Sequence, residues 1–293
     1  MKYKPLGHTG LTISAVSYGG IVSAGFYDNT DYPALDQNAS DRFVSYAIDH
    51  GVNYFDVAPS YGNAQAQLGN SLRPYRNKVH LACKTARRDR QGAEAELRES
   101  LSLLQTDHFE IYQLHGIASM DEVEQAFAPG GVMELMREVR EKGIAAHIGF
   151  TAHSEEAALH MLELYDFETV LFPINWFMHM AHGMGEKLMK KDVGHLAMKA
   201  FIERKWGDDA ERAASAYPKS WCKPIDVEDT AFGMAAMRYA LSLGVDTLIP
   251  PGNFESFKFA VEHIDECVEK PLSEADEALL KAKLETVRGK EFF

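Results

Sequence analysis

The stretch Val16-Ser17-Tyr18-Gly19-Gly20-Ile21-Val22 decides the fold. It reads as a short apolar strand running into a glycine turn, the place where an open doubly wound sheet carries its phosphate-binding loop. Such a sheet needs G-x-G-x-x-G after its first strand and an acidic residue about 20 positions on, because the glycines let the backbone approach a pyrophosphate. Gly19-Gly20-Ile21-Val22 lacks that spacing. The strand belongs to another kind of sheet.

Working outward, strand-like runs recur at 53–57, 79–84, 109–115, 145–151, 169–175, 195–199 and 246–250, which with 16–20 makes eight. Amphipathic stretches lie between them. Phe43, Ala47 and Ile48 mark 42–50, and Leu97, Leu101 and Leu104 mark 94–104. Leu135, Met136 and Val139 mark 132–142, and Met234, Met237, Ala240 and Leu241 mark 230–243, all at helical spacing. Gly51, Gly143 and Gly244 follow helical patterns and predict left-handed helix ends. Strict alternation of strand and helix predicts a parallel sheet with right-handed crossovers. Eight units in a 293-residue chain fit a closed (β/α)8 TIM barrel, read as one domain over 1–293.

Residues 3–13 predict a β-hairpin ahead of the barrel, and 273–288 one more helix after it, with Ser273 and Asp276 suited to its first turn. Most steps between strands run roughly 25–35 residues, but the seventh to the eighth takes about 50. The excess, 201–226, contains Tyr217-Pro218-Lys219-Ser220-Trp221-Cys222-Lys223-Pro224 and no helical period. It predicts a lid or binding loop on the C-terminal side of strand seven.

Lys and Arg number 30 against 43 Asp and Glu, a net charge of −13. That balance excludes non-specific binding to nucleic acid or an anionic membrane. Cys83, Cys222 and Cys267 are odd in number and far apart, which predicts no disulfide framework and no zinc or iron–sulfur motif. With no apolar leader and no apolar run near 18 residues, the expected location is cytoplasmic. His179 and His182 lack a carboxylate at fixed spacing, so no metal is expected. The residues do not give an oligomeric state.

In a (β/α)8 barrel the chemistry sits at the C-terminal strand ends. Strand two gives Asn53-Tyr54-Phe55-Asp56-Val57-Ala58-Pro59-Ser60-Tyr61-Gly62, strand three ends Cys83-Lys84-Thr85, and strand four is Ile111-Tyr112-Gln113-Leu114-His115. Asp56, Tyr61, Lys84 and His115 thus reach one rim. Hydride arriving at a carbonyl carbon leaves an alkoxide, which needs a proton donor within reach. A tyrosine hydroxyl, with an ordinary pKa of about 10, serves only if its anion is stabilised. A neighbouring ammonium does that, and a carboxylate behind the lysine keeps it charged. Tyr61 is therefore read as the general acid, Lys84 as its tuning group, Asp56 as the support of Lys84, and His115 as the group orienting the carbonyl.

On the Asp56…Tyr61 pair, Lys84 and Leu114-His115, in that strand order, the chain resembles the aldo-keto reductase family. The resemblance implies an NAD(P)H-dependent oxidoreductase that interconverts an aldehyde or ketone and the alcohol, on a small-molecule carbonyl or sugar substrate. It implies a nicotinamide cofactor, usually NADPH, lying across the rim. Gly19, Gly20 and Asp56 are expected along it. The family's Ser-Asn after strand five reads Thr151-Ala152 here, its glutamine after strand six falls at Phe172, and Met198-Lys199 stands where a stacking Tyr and a Ser are usual. Thr151 and Asn175 are therefore expected on the carboxamide, with Met198 and Lys199 beside the ring.

Pro251, Gly252 and Asn253 open a helix after strand eight and are expected at the phosphates. The family's arginine is absent there. Lys258, or Arg204 and Lys205 from the long loop, would have to pair a 2′-phosphate, and Glu255 would repel it. NADP is expected, with NAD open. Tyr27, Trp176, His179 and Trp221, together with Trp206, are expected to wall the substrate. Two other readings stay open: a redox-neutral sugar lyase or epimerase with tightly bound NAD(P), and a dinucleotide-binding regulatory subunit.

Overall fold

The structure, a computed structural model, describes residues 1–25, 35–177 and 182–290. It opens with the expected hairpin, β1 (Tyr3–Pro5) antiparallel to β2 (Thr12–Ser14). There follow β3 (Tyr18–Gly19), β4 (Tyr54–Asp56), β5 (His80–Thr85), β6 (Phe109–Ile117), β7 (Ala145–Ala152), β8 (Thr169–Pro173) and β9 (Gly194–Met198). After these come β10 (Ile202–Arg204), β11 (Lys223–Pro224) and β12 (Thr247–Ile249). Eight strands hydrogen-bond side by side in the order β3-β4-β5-β6-β7-β8-β9-β12, every neighbour parallel. A parallel bridge between Val16 and Leu248 joins the two edges, with Ser17 N donating to Leu248 O at 2.9 Å and Leu248 N to Ala15 O at 3.0 Å. The sheet thereby closes as a (β/α)8 barrel.

Alternation along the strands sorts side chains into two cores. Leu6, Ile13, Tyr54, Ala82, Ile111, Leu171 and Leu196 fill the barrel interior, and the hairpin's Leu6 and Ile13 plug its lower end. The opposite faces of the strands, such as Phe55, Cys83, Tyr112 and Phe150, pack against the helices. The amphipathic stretches form helices Gln37–Asp49, Arg90–Leu103, Val132–Glu141 and Thr230–Ser242, close to the expected bounds. Gly143 and Gly244 end two of them at φ 71° and 76°, which a residue with a Cβ adopts only under strain. The last helix, Glu274–Val287, starts with a full capping box between Ser273 and Asp276. No described helix is long and apolar enough to cross a membrane.

The segment 201–226, expected as a lid or binding loop without a helical period, holds short elements of its own. β10 pairs antiparallel with β11, and the helix Asp209–Ala214 sits between them, capped by Asp208. Arg204 closes this unit by pairing with Glu211. Trp206 Nε1 donates to Ser220 O at 2.8 Å, so this indole braces the strap. Strands of two or three residues and one short helix leave too little periodic pattern to read in a sequence.

Candidate active site

Asp56 ends β4, and the next residues turn so that Tyr61 N bonds Ala58 O at 3.2 Å before helix Ala64–Leu72 begins. Lys84 points inward from β5 and is fully buried. Its ammonium pairs with Asp56 Oδ1 and donates to Val57 O at 3.3 Å. The same Nζ lies 5.4 Å from the centre of the Tyr61 ring. His115, on β6, stands edge-on to Tyr61 with centroids 5.7 Å apart at 86°. Arg88 Nη2 holds the His115 carbonyl at 2.8 Å, and Arg88 is itself paired with Glu122 at 3.1 Å.

Burial dominates the electrostatics here. It raises Asp56 above the ordinary carboxylate value, against the pull of Lys84. It raises Tyr61 too, and the Lys84 charge is the chief counterweight. Burial would lower Lys84, but Asp56 holds it above its ordinary value, so the ammonium stays charged. His115 is pushed down to about 3, first by burial and then by Lys84, His153 and Arg88, and is a neutral imidazole at neutral pH. The arrangement combines one weak acid, one fixed cation beside it and one neutral ring. It can deliver a proton to an oxygen without adding a second titrating group near neutrality.

Tyr61 and His115 open into a cleft that runs over the barrel mouth to the start of helix Phe254–Glu269. Gly19, Thr151, Met198, Lys199, Pro251, Gly252 and Trp221 line it. Trp221 is 60% exposed at its rim. The Thr151 hydroxyl oxygen accepts from Gly116 N at 2.7 Å, which leaves its proton to donate. Lys199 sits at φ 67°, a strained left-handed conformation for a residue with a side chain.

Other expected contacts lie elsewhere. Asn175 spends its whole amide on backbone: Nδ2 donates to Lys199 O at 2.8 Å and Ile202 O at 2.9 Å, and Oδ1 accepts from Phe177 N. It braces the Lys199 turn and does not hold a carboxamide. Trp176 is buried between Phe177 and Phe232 and donates to Ile202 O, so it is core and no substrate wall. Gly20 is packed against Val57, where a Cβ would meet Val57 at 2.8 Å. Asn253 caps its helix by accepting from Ser256 N at 2.8 Å, and Lys258 faces Glu262 one turn on at 3.9 Å. Arg204 is engaged with Glu211. In the sixth barrel strand Leu171 lines the cleft, whereas Phe172, where the resemblance put the glutamine position, packs outward. A slip of one residue moves a strand position to the other face. Tyr27 and His179 lie outside the described residues.

Sequence reasoning missed His153 and Lys219, which also line the cleft, and Gln113 beside Asp56. His153 and Gln113 were reachable by alternation from Thr151 and His115. Lys219 carries no such signal.

The sequence model of the Aldo/keto reductase family matches residues 24–203, more than half of the chain. The chain belongs to the aldo/keto reductase family. Aldo-keto reductase YhdN of Bacillus subtilis (strain 168) is 27% identical over 191 residues, 60% of this chain and 55% of that protein. L-galactose dehydrogenase of Arabidopsis thaliana is 26% identical over 164 residues, 52% of this chain and 48% of that protein. The chain thus spans about half the length of these curated relatives. The holo form of aldo-keto reductase AKR11C1 from Bacillus halodurans shares the fold over 97% of this chain and 96% of its own, with TM-score 0.71 at 18% identity.

Aldo/keto reductases are nicotinamide-dependent oxidoreductases, and the cleft suits such a dinucleotide. Thr151 offers a hydroxyl proton to the cleft, and Lys199 lines it. At the far end Gly252 lets two loops close up, since a Cβ there would lie 2.5 Å from Ile21 Cγ2.

Proposed function

We propose that this protein is an NAD(P)H-dependent reductase that interconverts a small aldehyde or ketone and its alcohol, with Tyr61 as general acid in reduction. The observation that carries the reading is the burial of the Lys84–Asp56 pair directly beneath Tyr61. A buried ion pair is costly to build and adds little to stability, so its place against one hydroxyl argues for a chemical purpose. The reduced nicotinamide, when bound, supplies a hydride to the carbonyl carbon.

The chain's own groups do the rest. His115, neutral, donates a hydrogen bond that aims the carbonyl oxygen at Tyr61. The Tyr61 hydroxyl passes its proton to that oxygen as negative charge develops there. Lys84 stabilises the tyrosinate left behind, and Asp56 keeps Lys84 charged. Thr151, Met198 and Lys199 would hold the dinucleotide. Of the cations expected at a 2′-phosphate, Lys258 is turned to Glu262 and Arg204 to Glu211.

Tryptophan-fluorescence titration with NADPH and with NADH tests the cofactor, using the cleft residue Trp221 as reporter. Tyr61→Phe tests the acid. Turnover should fall by at least about a thousandfold while cofactor affinity stays within a few-fold. Retained turnover would remove Tyr61 from the role.

A further inference from the structure

Gln113 is fully buried inside the barrel and lies opposite Lys84 in the register between β5 and β6. Its Nε2 donates to Asp56 Oδ2 at 3.4 Å, while Lys84 takes Asp56 Oδ1. The two carboxylate oxygens therefore receive one donor each, an ammonium on one side and a neutral amide on the other.

The rest of the Gln113 amide sits against the buried Tyr54 hydroxyl, with which it interacts, although its Oε1 makes no well-aligned hydrogen bond. Ala82, Ile111, Leu171 and Leu196 make up the apolar part of the barrel interior, with the polar Tyr54 and Thr169 among them. A buried amide costs free energy to desolvate, and here its donor is turned to the Asp56 carboxylate.

We infer that Gln113 is a positioning residue for proton transfer: its amide occupies the carboxylate oxygen that Lys84 leaves free, holding Asp56 ionised and oriented behind Lys84. A neutral donor is the type of group that can do this. A second cation would compete with Lys84 for Asp56, and a bare apolar wall would let burial drive Asp56 towards its neutral acid. Were Asp56 to take up a proton, Lys84 would lose the partner that keeps it charged, and Tyr61 would lose the cation that stabilises its anion. Gln113 acts through Asp56 and touches no reacting atom. The inference rests on the reading of Tyr61 as the acid.

The test uses the full chain labelled with [13Cζ]tyrosine, in which Tyr61→Phe assigns the Tyr61 resonance, followed against pH by NMR. Gln113→Met removes the donor at constant length, and Gln113→Asn draws the amide back by one methylene. Both should move the Tyr61 ionisation midpoint up by about one unit. With NADPH or NADH and 4-nitrobenzaldehyde as the probe carbonyl, kcat should fall about tenfold while KM and cofactor Kd stay within about twofold.

A merely structural role would lower the melting temperature without moving the midpoint. Variants that keep the midpoint within about 0.3 unit of the parent overturn the inference, whatever their melting temperature. If Tyr61→Phe itself keeps turnover, the acid assignment fails. If Tyr61→Phe is inactive and the Gln113 variants behave like the parent, only the positioning role fails.

Discussion

The Lys219 ammonium lies 2.7 Å from the carbonyl oxygen of Ile21, 198 positions away along the chain. It also donates to Val22 O at 3.2 Å and Ala24 O at 2.9 Å, so one side chain bonds the strap to the loop that follows β3. Burial lowers this lysine to about 8. With the strap open it would titrate near its ordinary value, about 10.4. The closed form therefore binds fewer protons than the open form between those two values, and raising the pH through that window favours closure. Stopped-flow release of NADPH or NADH should slow several-fold from pH 8 to pH 10. Lys219→Met should remove that dependence and speed release at pH 7. Release rates that rise with pH in the parent, or that ignore the substitution, would show that Lys219 does not latch the strap.

His115 gives a second expectation. Burial, helped by Lys84, His153 and Arg88, holds its pKa at about 3, below the ordinary value of 6.5. The folded chain thus binds fewer protons here than the unfolded one between those values. The associated stability is present above the unfolded pKa and is lost as the pH falls from 6.5 towards 3. Within pH 5–8 the ring stays neutral, so kcat/KM for an aldehyde should show no inflection near 6.5. A bell with an acid limb at that pH would mean that the imidazole is charged in the working enzyme. His115→Ala should cost about 10–100-fold in kcat/KM, because the carbonyl loses one orienting donor.

The barrel and three of the four constellation residues were legible because they follow periodic features, while Tyr61 sits in the turn after β4. Eight strand–helix alternations set the fold, and the alternation of strands β4, β5 and β6 puts Asp56, Lys84 and His115 on the inner face. The cleft was legible at strand ends, as with Thr151, Met198 and Lys199, and also at Pro251, Gly252 and Trp221. Within β8 the resemblance pointed to Phe172, but Leu171 is the residue that faces the cleft. Asn175 and Trp176 looked like cleft residues because polar and aromatic side chains near a strand end often are. Their hydrogen bonds instead run to Ile202 O, across a turn whose path no local pattern reveals. Lys219 lies in the segment without a period, and only the folded path brings it to Ile21.

Away from the site, Asp246 joins the barrel's lower end to the N-terminal hairpin. Its Oδ2 accepts from His195 N at 2.8 Å, and Gly7 N and the Lys4 charge also favour its anion. Burial outweighs them and raises the carboxyl to about 6. The fold therefore prefers the protonated acid relative to the unfolded chain, whose carboxyl titrates near 3.9. Stability from that preference is present at low pH and is lost as the pH rises through about 6. The difference amounts to at most about 3 kcal/mol, since each unit of pKa is worth about 1.4 kcal/mol. Asp246→Asn cannot ionise and keeps a carbonyl oxygen for His195 N. Whatever constant offset the amide introduces, its melting temperature relative to the parent should climb between pH 4.5 and pH 7.5. That climb should be a few degrees for a chain of this size. Thermal melts of both proteins across that range decide the matter, and parallel curves would mean that Asp246 titrates as an ordinary exposed carboxylate.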